Sequence, residues 1–409
     1  MTAPVPLAID GGPKTRQLPW PAWPLFDQSE EQAILDVLRS GQWWSVGGRR
    51  VPEFEQAFAL AQGARHCVCV TNGTAALEVA LRALGIGCGD EVIVPPYTFI
   101  ATASSVLAVS ATPVFVDVEP GSFNIDPARI EEAITERTRA IMPVHIAGRP
   151  ADMDGVMAVA RKHGLCVIED AAQAHAAEWR GRKVGAIGDL GTFSFQASKN
   201  LNAGEGGAIV SDSEEVIGRA WSVHNVGRTR TGRWYEHHVL GGNFRMTEWQ
   251  AAVLLAQLAR VPEQTQTRTR NALYLTELLR SVPGIVTLPD DPRVTRHAYH
   301  LYVFRYDPAG FGGRGRDEFL AALTAEGVPC SGGYVPLYRE VVFQRLAADQ
   351  GAWCRSRRPI DYPAIRCPEC ERASADGVWL FQSMLLGNTA DMDDIAEAIA
   401  RIQRAWSGA

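Results

Sequence analysis

The sequence contains no run of basic residues, and its longest uncharged stretch is broken by prolines. The formal charge is −6, and a chain without a basic patch lacks the electrostatic attraction on which nucleic-acid binding depends. The longest uncharged stretch, residues 92–116, contains three prolines and many Ser and Thr residues, so it predicts strands and a helix and not a membrane span. We therefore expect small-molecule partners, no nucleic acid and no membrane.

An export signal is also lacking. Residues 1–16 contain no apolar core of the kind that a secretory signal requires. We expect a cytoplasmic location, and in that compartment the eight cysteines are expected to be mostly reduced thiols.

One cysteine pair has half the spacing of a zinc site. Cys367 and Cys370 are separated by two residues, and Cys354 lies upstream, but no second close pair of Cys or His follows to complete four ligands. The sequence therefore predicts no metal, with zinc binding and reversible oxidation at this pair as minor alternatives.

Strand and helix patterns alternate in the first part of the chain. Apolar strand patterns and helical patterns follow one another from residue 66 to residue 170, and this order predicts an α/β fold with a mostly parallel sheet covered by helices on both faces. After about residue 265 the pattern changes to a strand at 300–306 and helices at 316–326 and 392–406. We predict an N-terminal arm and large domain over residues 1–265 and a small C-terminal α/β domain over residues 266–409.

Two of the predicted strands are followed by side chains with complementary chemistry. Residues 165–170 form an apolar run that ends in Glu169 and Asp170, and the strand at 192–196 is followed by Lys199. Open α/β sheets bind ligands at the carboxyl ends of their strands. A lysine held out of water can react as a free amine with a carbonyl or with pyridoxal phosphate, while a carboxylate keeps the pyridine nitrogen protonated. The alternative, a surface lysine and a turn-capping aspartate, stays open on these two motifs alone.

A third strand leads into a glycine-containing turn. The strand at 66–71 continues directly into Asn72-Gly-Thr-Ala75 and an apolar helix. A glycine at a strand-to-helix turn exposes backbone N–H groups at a helix N-terminus, which can bind a phosphate. Gly73 and Thr74 are the candidates, and an ordinary helix cap is the alternative.

Seven segments together resemble the DegT/StrS family of aminotransferases, which act on sugars and cyclitols. They occur in the family's order and cover most of the chain from about residue 30 onward. The segments are Asn72-Gly-Thr-Ala-Ala-Leu77, Pro96-Tyr-Thr-Phe-Ile-Ala-Thr102, Pro143-Val-His-Ile-Ala-Gly148, Ile168-Glu-Asp-Ala-Ala-Gln-Ala-His175, Phe193-Ser-Phe-Gln-Ala-Ser-Lys-Asn200, Gly204-Glu-Gly-Gly207 and Gly242-Asn-Phe-Arg-Met-Thr-Glu248. The resemblance implies the aspartate-aminotransferase fold type, pyridoxal 5′-phosphate as the cofactor, and Lys199 and Asp170 as the catalytic residues.

The resemblance also implies which residues hold the cofactor. It places an aromatic ring on the pyridine, here Phe99, with Tyr97 as the alternative if the register differs. It assigns Gln173 to the phenolic oxygen of the cofactor and Ser194 to its phosphate, beside Gly73 and Thr74. In the family the asparagine at position 243 reaches the phosphate of the neighbouring subunit, so Asn243 implies a homodimer with shared active sites.

Substrate contacts are implied less directly. Trp44 lies in an aromatic loop at 42–48 that shapes the substrate side of the pocket in relatives, although packing at an interface would also explain it. Arg228, Arg233 and Arg245 are candidates for the donor carboxylate, against the alternative of solvated surface arginines. Tyr334 lies in the segment 327–339, which together with the segment 378–387 resembles the branch acting on cyclitol ketones or making 3-amino-5-hydroxybenzoate. Simple packing is the alternative for Tyr334.

We therefore expect an aminotransferase that uses glutamine or glutamate as donor. The acceptor is expected to be the keto group of a cyclitol or sugar, giving an aminocyclitol or amino sugar for antibiotic-type biosynthesis. Two alternatives remain open at this point: an aminodehydratase of the 3-amino-5-hydroxybenzoate synthase type, and a non-catalytic partner or regulatory protein.

Overall fold

The computed structural model describes residues 5–348 and 360–408. The helices in this part of the chain are α1 Gln28–Ser40, α2 Arg50–Ala61, α3 Gly73–Ala83, α4 Ala101–Ala108, α5 Ile130–Ala133, α6 Met153–His163, α7 Glu214–His224, α8 Glu248–Leu258, α9 Val261–Leu279, α10 Arg316–Ala325, α11 Val341–Ala348, α12 Pro368–Asp376 and α13 Thr389–Ser407. The strands are β1 His66–Val70, β2 Glu91–Val94, β3 Thr112–Phe115, β4 Thr138–Ile141, β5 Cys166–Asp170, β6 Glu178–Trp179, β7 Arg182–Lys183, β8 Leu190–Ser194, β9 Gly207–Ser211, β10 Ile285–Thr287, β11 Val294–Arg296, β12 Leu301–Tyr306, β13 Cys330–Ser331 and β14 Gly377–Phe381.

A seven-stranded sheet forms the centre of the fold, in the order β1-β9-β8-β5-β4-β2-β3. Strands β2, β3, β4, β5 and β8 pair in parallel, while β9 runs antiparallel to both β1 and β8. The predicted α/β class with a mostly parallel sheet is confirmed. Since β5 and β8 are neighbours in parallel, Asp170 and the segment that carries Lys199 leave the sheet at the same edge.

The central sheet is buried on both faces. Cys67 and Cys69 of β1 belong to one apolar cluster, whereas Val68 and Val70 belong to another. Helices α3, α4 and α7 cover the Val68 face, and α2, α6 and α8 cover the Cys67 face. Burial on both faces explains why these strands have continuous apolar sequences.

Local hydrogen bonds fix where the helices begin and end. At α1, Asp27 and Glu30 form a capping box, and Gly41 ends the helix in the left-handed conformation. At α3, the side chain of Asn72 accepts from the amide of Ala75 at 2.9 Å. This cap fixes the start of the helix at the edge of the sheet where β1 ends.

A second, antiparallel sheet is built from the later part of the chain, in the order β10-β12-β14-β13. Helices α9, α10 and α13 pack with it around a third apolar cluster. A small three-stranded sheet, β11-β6-β7, lies apart from both. The domain boundary at 265/266 stays a prediction, and α9 runs across that position.

The cysteines with zinc-like spacing are buried. Cys367 precedes α12 and Cys370 lies within it, both as free thiols, and the amide of Cys370 donates to Asp117 Oδ1 at 2.9 Å. Burial raises the pKa of the Cys367 thiol to about 12. In residues 5–348 and 360–408 no group of three His, Cys, Asp or Glu side chains is placed to hold a metal ion. Cys354 lies outside the described residues.

The helices of the described segments were also compared with the length and hydropathy of a membrane span. None of the helices in the described segments is both long enough and apolar enough to cross a bilayer.

Candidate active site

A cavity of about 1140 Å³ opens at the edge of the central sheet where β1, β5 and β8 end. The second sheet closes its other side through β14 and the residues that follow it. The residues that the sequence predicts and that line the cavity are Gly73, Thr74, Phe99, Asp170, Gln173, Ser194, Lys199 and Tyr334. The structure therefore brings both candidate catalytic residues and most of the candidate cofactor residues into one space.

Lys199 lies in the turn that follows β8. Its backbone amide donates to Gln196 O at 2.9 Å, and the side-chain amide of Asn202 donates to its carbonyl at 3.3 Å. Burial lowers the pKa of the Lys199 amine from its ordinary value of 10.5 to about 8, although the charge of Asp170 opposes this change. At neutral pH about a tenth of the amine is uncharged, so this lysine has the nucleophilic form that an ordinary lysine lacks.

Asp170 is the last residue of β5 and is 5% exposed. Its carboxylate accepts from the hydroxyl of Thr102 at 2.8 Å and from the amide of Ala172 at 3.2 Å, and Thr98 lies 3.0 Å from the Thr102 oxygen. Burial raises the pKa of Asp170, while these hydrogen bonds and Lys199 act in the opposite direction. The result is a fixed carboxylate beside the cavity, able to pair with a cationic group on a ligand.

The neighbouring carboxylate, Glu169, points to the opposite face of the sheet. It accepts from His145 at 2.9 Å and from the amides of Gly185, Ile187 and Gly188 at 2.6–2.8 Å. Burial alone would raise its pKa, but these donors lower it below the ordinary value. All its acceptor sites are used within the protein, so Glu169 holds the sheet together and Asp170 serves the cavity.

The N-terminus of α3 and Ser194 form a narrow cradle. A Cβ atom built on Gly73 would lie 2.7 Å from Cβ of Ser194 and 3.1 Å from its hydroxyl oxygen. Asn72 caps the amide of Ala75, while the amides of Gly73 and Thr74 have no partner within the described segments. Free N–H groups at a helix start, beside a hydroxyl, fit an anion such as phosphate.

The two aromatic candidates at the entry to α4 differ in position. Phe99 lines the cavity and is 57% exposed, whereas Tyr97 is fully buried, with its ring against Phe123 and Trp379. Tyr97 is therefore a core residue, and Phe99 is the aromatic ring available to a ligand.

Gln173 and Tyr334 are joined across the cavity wall. The Gln173 side chain accepts from the amide of Ala147 at 2.6 Å and donates to the hydroxyl of Tyr334 at 3.1 Å. Burial raises the pKa of Tyr334 to about 12, so its phenol stays protonated at neutral pH. Within the described segments the second N–H of Gln173 has no acceptor, so it can donate to a ligand oxygen.

The model of the DegT/DnrJ/EryC1/StrS aminotransferase family matches residues 24–400. The chain belongs to this family.

Three relatives illustrate the position of the chain within the DegT/StrS family. A protein of Streptoalloteichus tenebrarius provisionally named L-glutamine:3-amino-2,3-dideoxy-scyllo-inosose aminotransferase is 44% identical, over 97% of this chain and 98% of its own length. The L-glutamine:2-deoxy-scyllo-inosose aminotransferase of the same organism is 40% identical, over 98% of both chains. The crystal structure of 3-amino-5-hydroxybenzoic acid synthase superposes with a TM-score of 0.87 at 38% identity, over 95% of this chain and 99% of that chain.

Five residues that the family resemblance singles out lie away from this cavity, all within the described part of the chain. They are Trp44, Arg228, Arg233, Asn243 and Arg245.

Three of these residues, Trp44, Arg228 and Arg245, cluster around the indole pair of Trp44 and Trp234. Trp44 packs edge-on against Trp234 with ring centroids 5.7 Å apart, Arg245 lies over the Trp44 ring, and Arg228 donates to the carbonyl of Trp234 at 2.7 Å. Asn243 is exposed and pairs through its backbone with Asn225. Their roles in substrate or cofactor binding stay predictions, since no contact among residues 5–348 and 360–408 joins them to Lys199.

Several residues that line the cavity of this DegT/StrS family member are not predicted from the sequence. Trp23 comes from the N-terminal arm, and its indole donates to Ala197 O at 3.0 Å. His300 precedes β12, and Gln382 directly follows β14. Gln382 lies within the segment 378–387 that resembles the cyclitol branch, which was a usable signal, whereas nothing near Trp23 in the sequence indicates a cavity.

Proposed function

We propose that the chain is a pyridoxal 5′-phosphate-dependent aminotransferase that moves an amino group from glutamine or glutamate to the keto group of a cyclitol. A keto sugar is the broader acceptor class. The observation that carries the proposal is that a buried amine of lowered pKa, Lys199, and a fixed carboxylate, Asp170, line the same cavity as a free helix N-terminus. The names of the S. tenebrarius relatives support glutamine as donor and an inosose as acceptor.

The residues of the cavity fit this cofactor. Gly73, Thr74 and Ser194 would hold the phosphate, because the cradle between them offers free N–H groups and a hydroxyl and leaves no room for a side chain on Gly73. Asp170 would face the pyridine nitrogen and Phe99 the ring. When bound, pyridoxal phosphate supplies an electron sink for the negative charge that develops at the donor α-carbon.

Lys199 is the group that moves protons. Its amine is close enough to neutrality at pH 7 to act as the attachment point of the cofactor and, once released by the donor, as a base toward the donor α-carbon. The same nitrogen would then carry that proton away from the donor carbon without giving it back, and the ketone acceptor would undergo the steps in the opposite order. A pKa of about 8 suits both directions, because a group must both gain and lose a proton near the working pH.

Asp170 would place its negative charge beside the pyridine nitrogen of the cofactor. The hydroxyl of Thr102 and the amide of Ala172 fix the carboxylate, and the next residue along the strand, Glu169, is fully occupied on the other face. Gln173 would donate its free N–H to the phenolic oxygen of the cofactor. The other N–H of this amide donates to the hydroxyl of Tyr334, and this hydrogen bond fixes the orientation of the Gln173 side chain.

We also propose a homodimer in which Asn243 and the cluster of Trp44, Arg228 and Arg245 complete the cavity of the partner subunit. This proposal is supported by the exposure of Asn243 and by the fact that none of these four residues is among those that line the cavity of their own chain. The cytoplasmic location expected from the sequence stays a prediction.

One alternative reaction is favoured by a specific observation. The likeness to 3-amino-5-hydroxybenzoic acid synthase, with a TM-score of 0.87, keeps open an aminodehydratase that would eliminate water and form an aromatic amine. The two reactions differ in their products: transfer to an inosose retains its ring hydroxyls, whereas the dehydratase gives an ultraviolet-absorbing ring.

The test is product analysis on the purified protein loaded with pyridoxal phosphate. We expect L-glutamine to bleach the visible band of the bound cofactor, and 2-deoxy-scyllo-inosose to restore it while gaining an amino group, as measured by mass spectrometry. An aromatic amine from a cyclic keto acid substrate would instead support the alternative. A protein whose band does not respond to any amino acid donor would contradict the proposal and support the non-catalytic role.

A further inference from the structure

Arg268, in the middle of α9, is fully buried without an acidic partner. Its side chain is 0% exposed, and no carboxylate contacts it in residues 5–348 and 360–408. Burial lowers the pKa of the guanidinium to about 9, so it is still charged at neutral pH. A buried cation without a counter-ion is costly in a protein interior, and such a residue is expected where a negative charge arrives with a ligand.

The contacts of Arg268 lead to the cavity. Its Nε and Nη2 atoms donate to Oε1 of Gln382 at 2.9 and 2.5 Å, Nη1 is buried without a partner, and the indole of Trp23 lies against the guanidinium with its centroid 5.2 Å away. Gln382 and Trp23 both line the cavity. Arg268 therefore sits directly behind the cavity wall.

This arrangement fixes the orientation of the Gln382 amide. A guanidinium has only donors, so the atom of Gln382 that faces Arg268 must be the oxygen, and the nitrogen must be the free end. Gln382 is 3% exposed and lines the cavity, and its Nε2 has no partner within the described segments. A buried amide with two unused N–H groups at a ligand cavity is a site for an acceptor oxygen.

We infer that Gln382, held by Arg268, binds the carboxylate of the amino acid donor. The charge of Arg268 favours an anionic group at this wall over the neutral hydroxyls of a cyclitol, since no side chain within the described part of the chain neutralises it. Gln382 is the residue that contacts the donor, and Arg268 is a positioning residue that keeps the N–H groups turned toward the cavity. The inference depends on the proposed function for the identity of the ligand as an amino acid.

The pairing of these two residues is not evident in the local sequence, although Gln382 itself lies in the segment 378–387. A glutamine after a strand and an arginine in a helix are ordinary residues, and only the packing of α9 against the end of β14 joins them. Two of the arginines that the resemblance suggests, Arg228 and Arg245, lie elsewhere, around Trp44 and Trp234. Arg268, unlike Arg228 and Arg245, lies directly behind Gln382 in the cavity wall of its own chain.

The test uses glutaramate, which is glutamine without its α-amino group and therefore cannot react. Its Kd for the cofactor-loaded protein, measured by calorimetry, reports carboxylate recognition independently of turnover. We expect Gln382→Leu and Arg268→Met each to raise this Kd by about tenfold or more, as for the loss of a hydrogen bond to a charged group. Arg268→Lys, which retains the charge, should give an intermediate value.

Kinetics provide the readout that a merely structural role would not change. In both variants the KM for L-glutamine should rise about tenfold or more, while the KM for the ketone acceptor stays within about twofold of wild type. Arg305→Met is the matched control, because Arg305 is a mostly buried arginine on β12 that pairs with Asp376 and does not line the cavity. It should change neither KM.

A single substitution leaves either the buried charge or its acceptor without a partner and so can impair folding. The double variant Arg268→Met with Gln382→Leu removes both together and is expected to fold. The inference would be overturned if the double variant or Gln382→Leu bound glutaramate as tightly as wild type. It would also be overturned if these substitutions raised the KM for the ketone acceptor alone. Failure of glutaramate to bind the wild-type protein would overturn it too. Failure of the proposed function is seen separately, as a wild-type protein that transfers no amino group.

Discussion

Gly73 and Ser194 approach each other so closely that a Cβ atom on residue 73 would lie 2.7 Å from Cβ of residue 194. Real Cβ atoms do not approach other carbons to this distance, so the position requires glycine. Because residue 73 has no side chain, a space remains between the two residues. It lies beside the amides of Gly73 and Thr74, which have no partner within the described segments.

Substitution of Gly73 tests the cradle. We expect Gly73→Ala to raise the Kd for pyridoxal phosphate by about tenfold or more, because the methyl group must displace Ser194 and fill the space that the phosphate would take. The Kd is measured by titration of the cofactor-free protein and followed by absorbance. Gly218→Ala is the control, since a Cβ there meets nothing within 4 Å. Equal cofactor affinity in the two variants would rule out this cradle.

The lowered pKa of Lys199 predicts a pH dependence of its reactivity. Burial disfavours the ammonium form and brings the pKa to about 8, so acylation of Lys199 in the cofactor-free protein should rise with pH, reach half its maximum near pH 8 and level off above pH 9. The Asp170→Asn variant should shift the midpoint downward, because the charge of Asp170 favours the ammonium form. Peptide mass spectrometry across pH 6–10 gives the rate at this residue. A midpoint above pH 10 would mean that the amine is in water.

The two adjacent carboxylates of β5 should respond differently to amide substitution. Asp170→Asn is expected to lower kcat by about a hundredfold or more with the fold intact, because an amide cannot keep a ring nitrogen protonated. Glu169→Gln instead removes a charge that three amides and His145 bind, and should lower the free energy of unfolding by about 1–3 kcal/mol. Steady-state kinetics and denaturant unfolding separate the two effects. The reverse pattern would mean that Glu169, not Asp170, serves the site.

Much of this site could be predicted from the sequence because parallel strands end at one edge of a sheet. That topology alone brings together Asp170 after β5 and Lys199 after β8, and the strand-to-helix turn at Gly73 adds the third part. Phe99 and Tyr97 differ by two residues and could be separated only by their burial, which depends on Phe123 and Trp379 from elsewhere in the chain.

Tertiary contacts account for what could not be predicted. Residues 126–136 fall within the alternating strand and helix patterns of residues 66–170, but in the structure they form only a short turn at Pro127–Arg129 followed by α5, which ends at Ala133. The amide of Thr135 donates to the hydroxyl of Thr138 at 2.9 Å, and such side-chain bonds compete with helix continuation. In the same way, the pairing of Arg268 with Gln382 depends on how α9 packs against the second sheet, and no local pattern encodes that contact.

Mixing two inactive variants tests whether the active sites are shared. Lys199→Ala and Asn243→Ala subunits are co-expressed with different affinity tags, and the hybrid dimer is purified through both tags. If Asn243 acts in the partner's cavity, one of the two sites in the hybrid has both residues intact, and about half of the wild-type activity per dimer should return. If Asn243 acts in its own chain, both sites remain defective and no activity should return.

The central claim is that Lys199 is the residue to which the cofactor attaches. The most direct measurement is borohydride reduction of the protein loaded with pyridoxal phosphate, followed by peptide mass spectrometry. We predict the added mass of the reduced cofactor on Lys199 alone, and none in Lys199→Ala, which should bind the cofactor without a covalent bond and show no turnover. Cofactor mass on a different lysine, or near-normal amino transfer by Lys199→Ala, would contradict the account.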